Sequence, residues 1–163
     1  RSDALYYLGL ALEAKHEATG ALVAFLRSRE IDSQGAHPAW SIPLPQFERR
    51  VKSALAQLPV DVSSLLEGAL VVVTDLPGAE VVAEGVDPRM PVLLDALSEP
   101  DQAPRIGRVF VYKRNIERLA PGLFDLDAEV VRSLVAEVRA TFPGTGPVEP
   151  GGDLTPAAGD LDL

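Results

Sequence analysis

The segment Ile106–Arg118 has the sequence IGRVFVYKRNIER, and its pattern is the most informative one in the chain for the fold. The part that ends at Tyr112 is rich in β-branched and aromatic side chains and predicts a strand, and a short helix is expected at 115–120. A longer helix is predicted at 126–142, because apolar residues recur there about one turn apart: Leu126, Val130, Leu134 and Val138. A strand followed by an amphipathic helix indicates a unit in which helices cover a sheet.

Further strands and helices are predicted on the N-terminal side of this segment. Residues 69–73 form a Val-rich run typical of a buried strand, and the ambiguous pattern at 91–97 favours a third strand. A short helix is expected at 79–83, and a helix that begins near Pro45 has an apolar face. The predicted fold class is therefore α+β, with a helical hairpin in front of a small domain that has a short sheet and a C-terminal amphipathic helix.

The helical hairpin is predicted from the spacing of small and large residues between 2 and 33. Gly9 and Ala21 are small enough for two antiparallel helices to approach closely, and large apolar residues fill the space between them: Leu5, Leu8, Leu12 and Phe25. This spacing resembles one tetratricopeptide repeat, a helix pair of about 34 residues. The alternative is a helical hairpin unrelated to that family, since the sequence departs from the pattern at Leu12, Ser28 and Ser33.

One helix pair of this kind does not bury its own apolar face, so it needs a neighbour. Either more repeats precede it, or it packs on the domain that follows. The resemblance implies that Tyr6, Leu10 and Glu13 line the face that binds partner proteins, whereas the alternative places Tyr6 and Leu10 against the next domain. In the connecting segment, Trp40 is expected to pack on one of the two units.

The rest of the chain resembles a minimal zincin-like metallopeptidase, a family often fused to tetratricopeptide repeats. The resemblance is carried by Leu58-Pro59, by the run VVVTDLP at 71–77 and by YKRNIER at 112–118. It implies a division of the chain into four parts: a helix pair at 1–34, a linker at 35–44, a zincin-like domain at 45–142 and an acidic tail rich in Pro and Gly at 143–163.

The metal-binding motif of that family is replaced in this sequence. The family carries His-Glu-x-x-His on its last helix, where two His bind zinc and Glu acts as general base. The matching positions are Ala136, Glu137 and Ala140. The resemblance therefore implies a pseudoenzyme without metal or cofactor, and the remaining Glu137 has the simpler interpretation of a solvated carboxylate on an amphipathic helix.

Composition restricts the possible partners. The net charge of −9 argues against nucleic acid and against an anionic membrane surface, because both require clustered Lys and Arg. The sequence has no Cys, no recognisable signal peptide and no apolar run of about 18–20 residues, so we expect a cytoplasmic location.

The function predicted from these features is a non-catalytic protein–protein interaction or scaffold module. Its candidate partner-binding residues are Tyr6, Leu10, Glu13, Arg114 and Asn115. One alternative is a hydrolase that uses the cleft without zinc through Arg114, Asn115 and Glu137. Another is a structural subunit in which the strand at 109–112 pairs with a strand of a partner.

The tail is expected to be disordered in the isolated chain, because its composition does not bury enough apolar surface to order it. Its acidic residues alternate with Leu154, Leu161 and Leu163. This pattern is typical of a short linear motif that orders on a partner, and a solubilising tail without a partner is the alternative.

Overall fold

The computed structural model describes residues 1–144, and the expectations for the tail therefore lie outside the described residues except for Pro143 and Gly144. The described part is mixed α and β, which confirms the predicted fold class at that level. The helices and strands follow in chain order: α1 Ser2–Ala14, α2 Ala18–Gln34, α3 Leu44–Leu55, α4 Val60–Leu65, β1 Leu70–Thr74, α5 Ala79–Ala83, β2 Val92–Leu97, β3 Arg105–Tyr112, α6 Lys113–Leu119 and α7 Leu126–Thr141.

The three strands form one sheet in the order β1-β3-β2. Strand β1 runs parallel to β3, with Leu70 opposite Arg108, and β2 runs antiparallel to β3, with Val92 opposite Val111. The prediction that 109–112 offers an open edge to a partner is therefore wrong, because β3 is hydrogen-bonded on both sides. The edges of this sheet are β1 and β2.

The main core lies between one face of the sheet and helices α3 and α7. Val109 and Val111 point from the central strand into this core, and both are fully buried. Helix α7 covers them with the apolar face predicted from its spacing, and α3 contributes Phe47 and Val51, which are also fully buried. The linker joins the same core through Trp40 and Ile42, which confirms the expected anchoring of Trp40.

The first two helices form the predicted antiparallel hairpin. A Cβ atom at Gly9 would lie 2.5 Å from Cδ1 of Phe25, so the absence of a side chain lets the buried ring pass close to α1. The turn between the helices is tight, and His16 adopts a left-handed backbone with φ of 62°. The close approach expected from Gly9 is thus a feature of the structure.

The hairpin packs on the unit that follows it through α5. Val82 is 1% exposed and forms a small apolar cluster with Ala21 and Phe25, which Tyr6 and Leu10 join from α1. Of the two neighbours considered for the hairpin, the following unit therefore covers this face.

No helix within residues 1–144 combines the length and apolarity that crossing a bilayer requires.

Candidate functional site

The seam between the hairpin and the α/β unit is centred on Arg89, in the loop before β2. Its Nη2 donates to Asp3 Oδ1 at 2.7 Å, its Nε donates to Asp32 Oδ2 at 3.2 Å, and its guanidinium lies 4.5 Å from the centre of the Tyr6 ring. Burial by itself would lower the pKa of Arg89, but the hydrogen bonds and charges of Asp3 and Asp32 outweigh it and raise the pKa. Arg89 therefore remains a cation that holds both helices of the hairpin.

Two of the predicted partner-binding residues, Tyr6 and Leu10, belong to this seam. The Tyr6 hydroxyl donates to Asp87 Oδ2 at 2.8 Å, and burial together with this hydrogen bond raises the pKa of Tyr6 above its usual value. Leu10 packs against the cluster around Val82. Both side chains are engaged within the chain, as the alternative interpretation expected.

Arg114 also joins the hairpin to the α/β unit. Its Nε donates to Asp75 Oδ2 at 2.8 Å, and its Nη1 donates to the carbonyl oxygens of Asp32 and Gly35, each at 2.9 Å. Its Nη2 lies 3.1 Å from Nε2 of His37. These contacts use most of the donors of the guanidinium, so Arg114 positions the linker and α2 rather than offering a free cation to a partner.

Asn115 was named as a candidate partner-binding residue, and the structure places its side chain in a fully buried position. Its Nδ2 donates to the carbonyl oxygens of Pro88 and Met90, both at 2.9 Å. Asn115 thus holds the loop that carries Arg89, and its role is to shape the seam.

Sequence reasoning missed a buried ion pair at the start of α6. The ammonium of Lys113 contacts the carboxylate of Glu117 one turn later, and it donates to Ser41 Oγ at 2.8 Å. Both charged side chains are almost completely buried. Neither oxygen of Glu117 meets hydrogen-bond geometry with a donor in the described part of the chain, although one is in ion-pair contact. A Lys and a Glu four residues apart were the available signal, but such pairs usually lie on exposed helix faces.

The positions that match the zinc ligands of the resemblance lie on the outer side of α7. Ala136 and Ala140 are exposed, and neither side chain has an atom that can bind a metal. Within residues 1–144, no three His, Cys, Asp or Glu side chains come close enough together to hold an ion. The residues at these positions therefore do not fit zinc.

Glu137 is half-buried, and burial raises the pKa of its carboxyl group. In the described part of the chain it forms no hydrogen bond or ion pair with Arg114 or Asn115, whose side chains face the hairpin and the loop before β2. The three residues of the hydrolase alternative are thus not brought together into one cluster by direct contacts.

A shallow open groove of about 570 Å³ runs along α7 beside Ala136. Its apolar lining comes from the same helix, and Arg132 and Arg139 border it. Arg132 is already paired with Glu129, since its Nη2 lies 2.6 Å from Oε1 of that residue. The small residue Ala136 thus leaves a depression on the surface of the helix.

A second groove, of about 670 Å³, lies on the hairpin face opposite α5, and we call it the outer groove. It is lined by residues of both helices: Arg1, Ala4, Leu5, Leu8, Arg27, Glu30 and Ile31. Leu8 is 49% exposed and Ile31 is 37% exposed, and the neighbouring Tyr7 and Val23 are exposed as well. The prediction that Leu8 is enclosed between the two helices is therefore wrong, because about half of this side chain is exposed in the outer groove.

A third depression, of about 490 Å³, opens between the turn of the hairpin and the end of α5, and we call it the Glu13 cleft. Its floor contains Leu22, Phe25 and Val82, and its rim contains Glu13 and Glu84. Of the three residues predicted to line the partner-binding face of the hairpin, Glu13 is the one that stays exposed beside an open depression.

Comparison with known proteins adds no assignment, since no family model and no curated protein matches this chain.

Proposed function

We propose that this chain is a non-catalytic protein-interaction module that binds another protein through the outer groove of its hairpin. The observation that carries the proposal is the exposure of Leu8 and Ile31 in a groove between two helices that are otherwise firmly attached to the α/β unit. Apolar residues grouped in this way on a surface are typical of protein-binding sites.

The seam supports the proposal because it fixes the direction in which the groove faces. Arg89 ties both hairpin helices to the loop before β2, and Arg114 ties the end of α2 to β1 through Asp75. A surface held in one orientation loses little conformational entropy when a partner binds, so the entropic cost of binding is smaller.

The shape and chemistry of the groove fit an amphipathic helix. Two neighbouring helices leave a trough between them, and Leu5, Leu8 and Ile31 give this trough an apolar floor. Arg27 and Glu30 at its border offer both signs of charge to the polar sides of such a helix. A helix pair of the same kind, including a further repeat in a longer chain, would present a surface of the same chemistry.

The proposal includes the interpretation of the second unit as a zincin-like scaffold without zinc chemistry. Its support is the set of side chains at these positions: Ala136 and Ala140 provide no ligand atoms that would hold a zinc-bound water beside Glu137. No cofactor is therefore proposed, and the net charge of −9 supports a protein partner in preference to nucleic acid.

The first experiment compares proteins captured by three versions of the chain. The double variant Leu8→Asp/Ile31→Asp places two charges in the outer groove, and Val60→Asp places a charge at an 80% exposed apolar residue elsewhere. Circular dichroism verifies that each version is folded. We expect proteins that are captured by the wild type and by Val60→Asp to be lost with the double variant. Identical capture by all three versions overturns the proposed surface.

The second experiment addresses the absence of metal-dependent chemistry. The protein is purified without chelator, its zinc content is measured, and cleavage of an unfolded protein substrate is assayed with the wild type and with Glu137→Gln. We expect no bound zinc and equal, background cleavage. Stoichiometric zinc, or cleavage that Glu137→Gln abolishes, overturns the non-catalytic part of the proposal.

A further inference from the structure

The Glu13 cleft has an apolar floor and lies apart from the outer groove. Phe25 and Val82 form its base, and small residues leave its space open: Ala18, Ala21 and Ala83. The cleft is bounded by the hairpin on one side and by the end of α5 on the other, so its walls come from two separate parts of the chain. Anchor side chains of a partner protein typically fill well-packed pockets of this kind at an interface.

The rim of the cleft is acidic. Glu13 and Glu84 are exposed, and neither forms an ion pair or side-chain hydrogen bond within residues 1–144. The residues that line the cleft include no Lys or Arg, and His16 is the remaining titratable one. Lys15 is exposed in the same turn but is not among the lining residues. Two unpaired carboxylates beside an apolar floor favour a ligand with positive charge next to an apolar group.

The negative charge of the rim distinguishes among the segments that could bind in the Glu13 cleft. The chain's own segment 145–163 carries Glu149, Asp153, Asp160 and Asp162 and has no basic residue, so it has the wrong charge for this rim. A second copy of the chain, with a net charge of −9, is also disfavoured by repulsion. A basic segment of another protein has the complementary charge.

We propose that the Glu13 cleft binds a peptide segment of another protein in which an apolar side chain is flanked by Lys or Arg. The apolar side chain lies on Phe25 and Val82, and the flanking cations face Glu13 and Glu84. The Glu13 cleft and the outer groove share no lining residue, so a partner of one does not require the other.

The test uses two fluorescent synthetic octapeptides that differ only in charge. One has a central pair of Leu residues flanked by Arg, and the other has Glu in place of every Arg. Fluorescence polarisation at low and high salt gives their dissociation constants, and amide chemical shifts locate the bound peptide. We expect the Arg peptide to bind at least tenfold more tightly at low salt, to lose that advantage at high salt, and to shift the amides of Ala18, Ala21, Val82 and Ala83.

Matched variants separate the cleft from the overall charge of the chain. We expect Glu13→Gln/Glu84→Gln to weaken binding of the Arg peptide at least threefold, because each exposed charge contributes modestly. Glu67→Gln/Glu99→Gln removes the same number of exposed carboxylates elsewhere and should leave the affinity unchanged. Leu8→Asp/Ile31→Asp should also leave it unchanged, so failure of the outer groove is distinguishable from failure of the cleft. Equal affinity for both peptides, equal effects of the two Gln pairs, or shifts confined to other surfaces overturns the inference.

Discussion

The core under α7 and the seam under the hairpin are both buried, but different interactions hold them. Under α7, side chains such as Phe47, Val109 and Leu134 are fully buried and apolar. At the seam, charged side chains are enclosed as well, with Arg89 and Asp32 only 9% and 8% exposed. One interface is held by the removal of apolar surface from water, and the other by hydrogen-bonded ions with only a small apolar cluster beside them.

The two kinds of interface differ in what they contribute, since one mainly stabilises the fold and the other mainly orients the hairpin. Apolar burial scales with area and has little directional preference, so many side chains of similar size satisfy the core. An ion pair enclosed in protein requires particular partners at particular distances, and an unpaired member is costly. We therefore expect the core to supply most of the free energy of unfolding and the seam to determine the angle at which the hairpin and its outer groove are presented.

The largest expected effect is on the core. Phe47→Ala leaves a cavity at a fully buried position, and we expect the free energy of unfolding to fall by about 3–5 kcal/mol. Phe124→Ala removes the same atoms at a 97% exposed position and should change it by less than about 0.5 kcal/mol. Urea unfolding followed by circular dichroism measures both. Similar losses in the two variants would show that burial under α7 is not the main source of stability.

The next effect concerns the seam. Arg89→Met removes one of the two cations that contact the buried Asp32 and leaves only Arg118, at 3.1 Å. We therefore expect the free energy of unfolding to fall by about 3 kcal/mol. Arg108→Met breaks the exposed pair with Asp95 and should cost less than about 1 kcal/mol.

Hydrogen exchange sharpens the contrast between the two regions. Arg89→Met should speed amide exchange in α1 and α2 and leave α7 protected, whereas Phe47→Ala should speed exchange throughout the α/β unit. Faster exchange in α7 with Arg89→Met would mean that the seam and the core unfold as one unit.

A smaller effect is expected inside the hairpin. The Cβ added by Gly9→Ala meets the ring of Phe25, and the overpacking outweighs the better helix propensity of Ala, for a net loss of about 1 kcal/mol. Gly20→Ala meets the flexible end of Leu12 at 3.2 Å and should be neutral or stabilising. The double variant Gly9→Ala/Phe25→Leu should recover part of the loss in thermal unfolding. If Gly9→Ala and Gly20→Ala changed the stability equally, the close approach of Phe25 would not explain the glycine at position 9.

The smallest effect is expected at Glu137, which belongs to neither buried region. Because burial raises the pKa of this carboxyl, the folded state binds its proton more tightly than the unfolded state does. Stability contributed by the protonated form is therefore lost as pH rises through the folded pKa. Glu137→Gln should stabilise the chain slightly at neutral pH, within about 0.5 kcal/mol because water screens this half-buried group.

The pH dependence provides the check on that prediction. Below the usual pKa of Glu, both states are protonated, and the variant and wild type should unfold at the same urea concentration. A stabilisation that persists there would mean that the charge of Glu137 is not its cause.

Local patterns in the sequence were sufficient for the positions of the helices and strands. The strand predicted at 69–73 forms at Leu70–Thr74, and the apolar face predicted for the last helix is buried at Leu126, Val130, Leu134 and Val138. These predictions succeed because the periodicity of apolar residues reports which side of an element faces the core. The close approach at Gly9 was predictable for the same reason, since it depends on residue size within one helix pair.

The placement of the candidate sites was less predictable. One alternative required the strand at 109–112 to pair with a partner at an open edge, but this strand is central, because the order of strands depends on pairing between segments far apart in the chain. Asn115 was named as a candidate partner-binding residue, but the loop before β2 encloses it. Polar residues have no periodicity that distinguishes a free side chain from one that a distant loop covers.

Residue types and short-range spacing were enough to predict the α+β class, the helical hairpin and the lack of ligand atoms at Ala136 and Ala140. Packing between distant segments, in contrast, brings Arg89 to Asp32, 57 residues away, and places Val82 against Tyr6 and Leu10. It also decided which hairpin face stays open, since exposure is what remains after all other parts of the chain have packed. A charged pair and an uncovered groove both depend on segments that are far apart in the sequence. The interaction free energy between such segments arises only when folding brings them together.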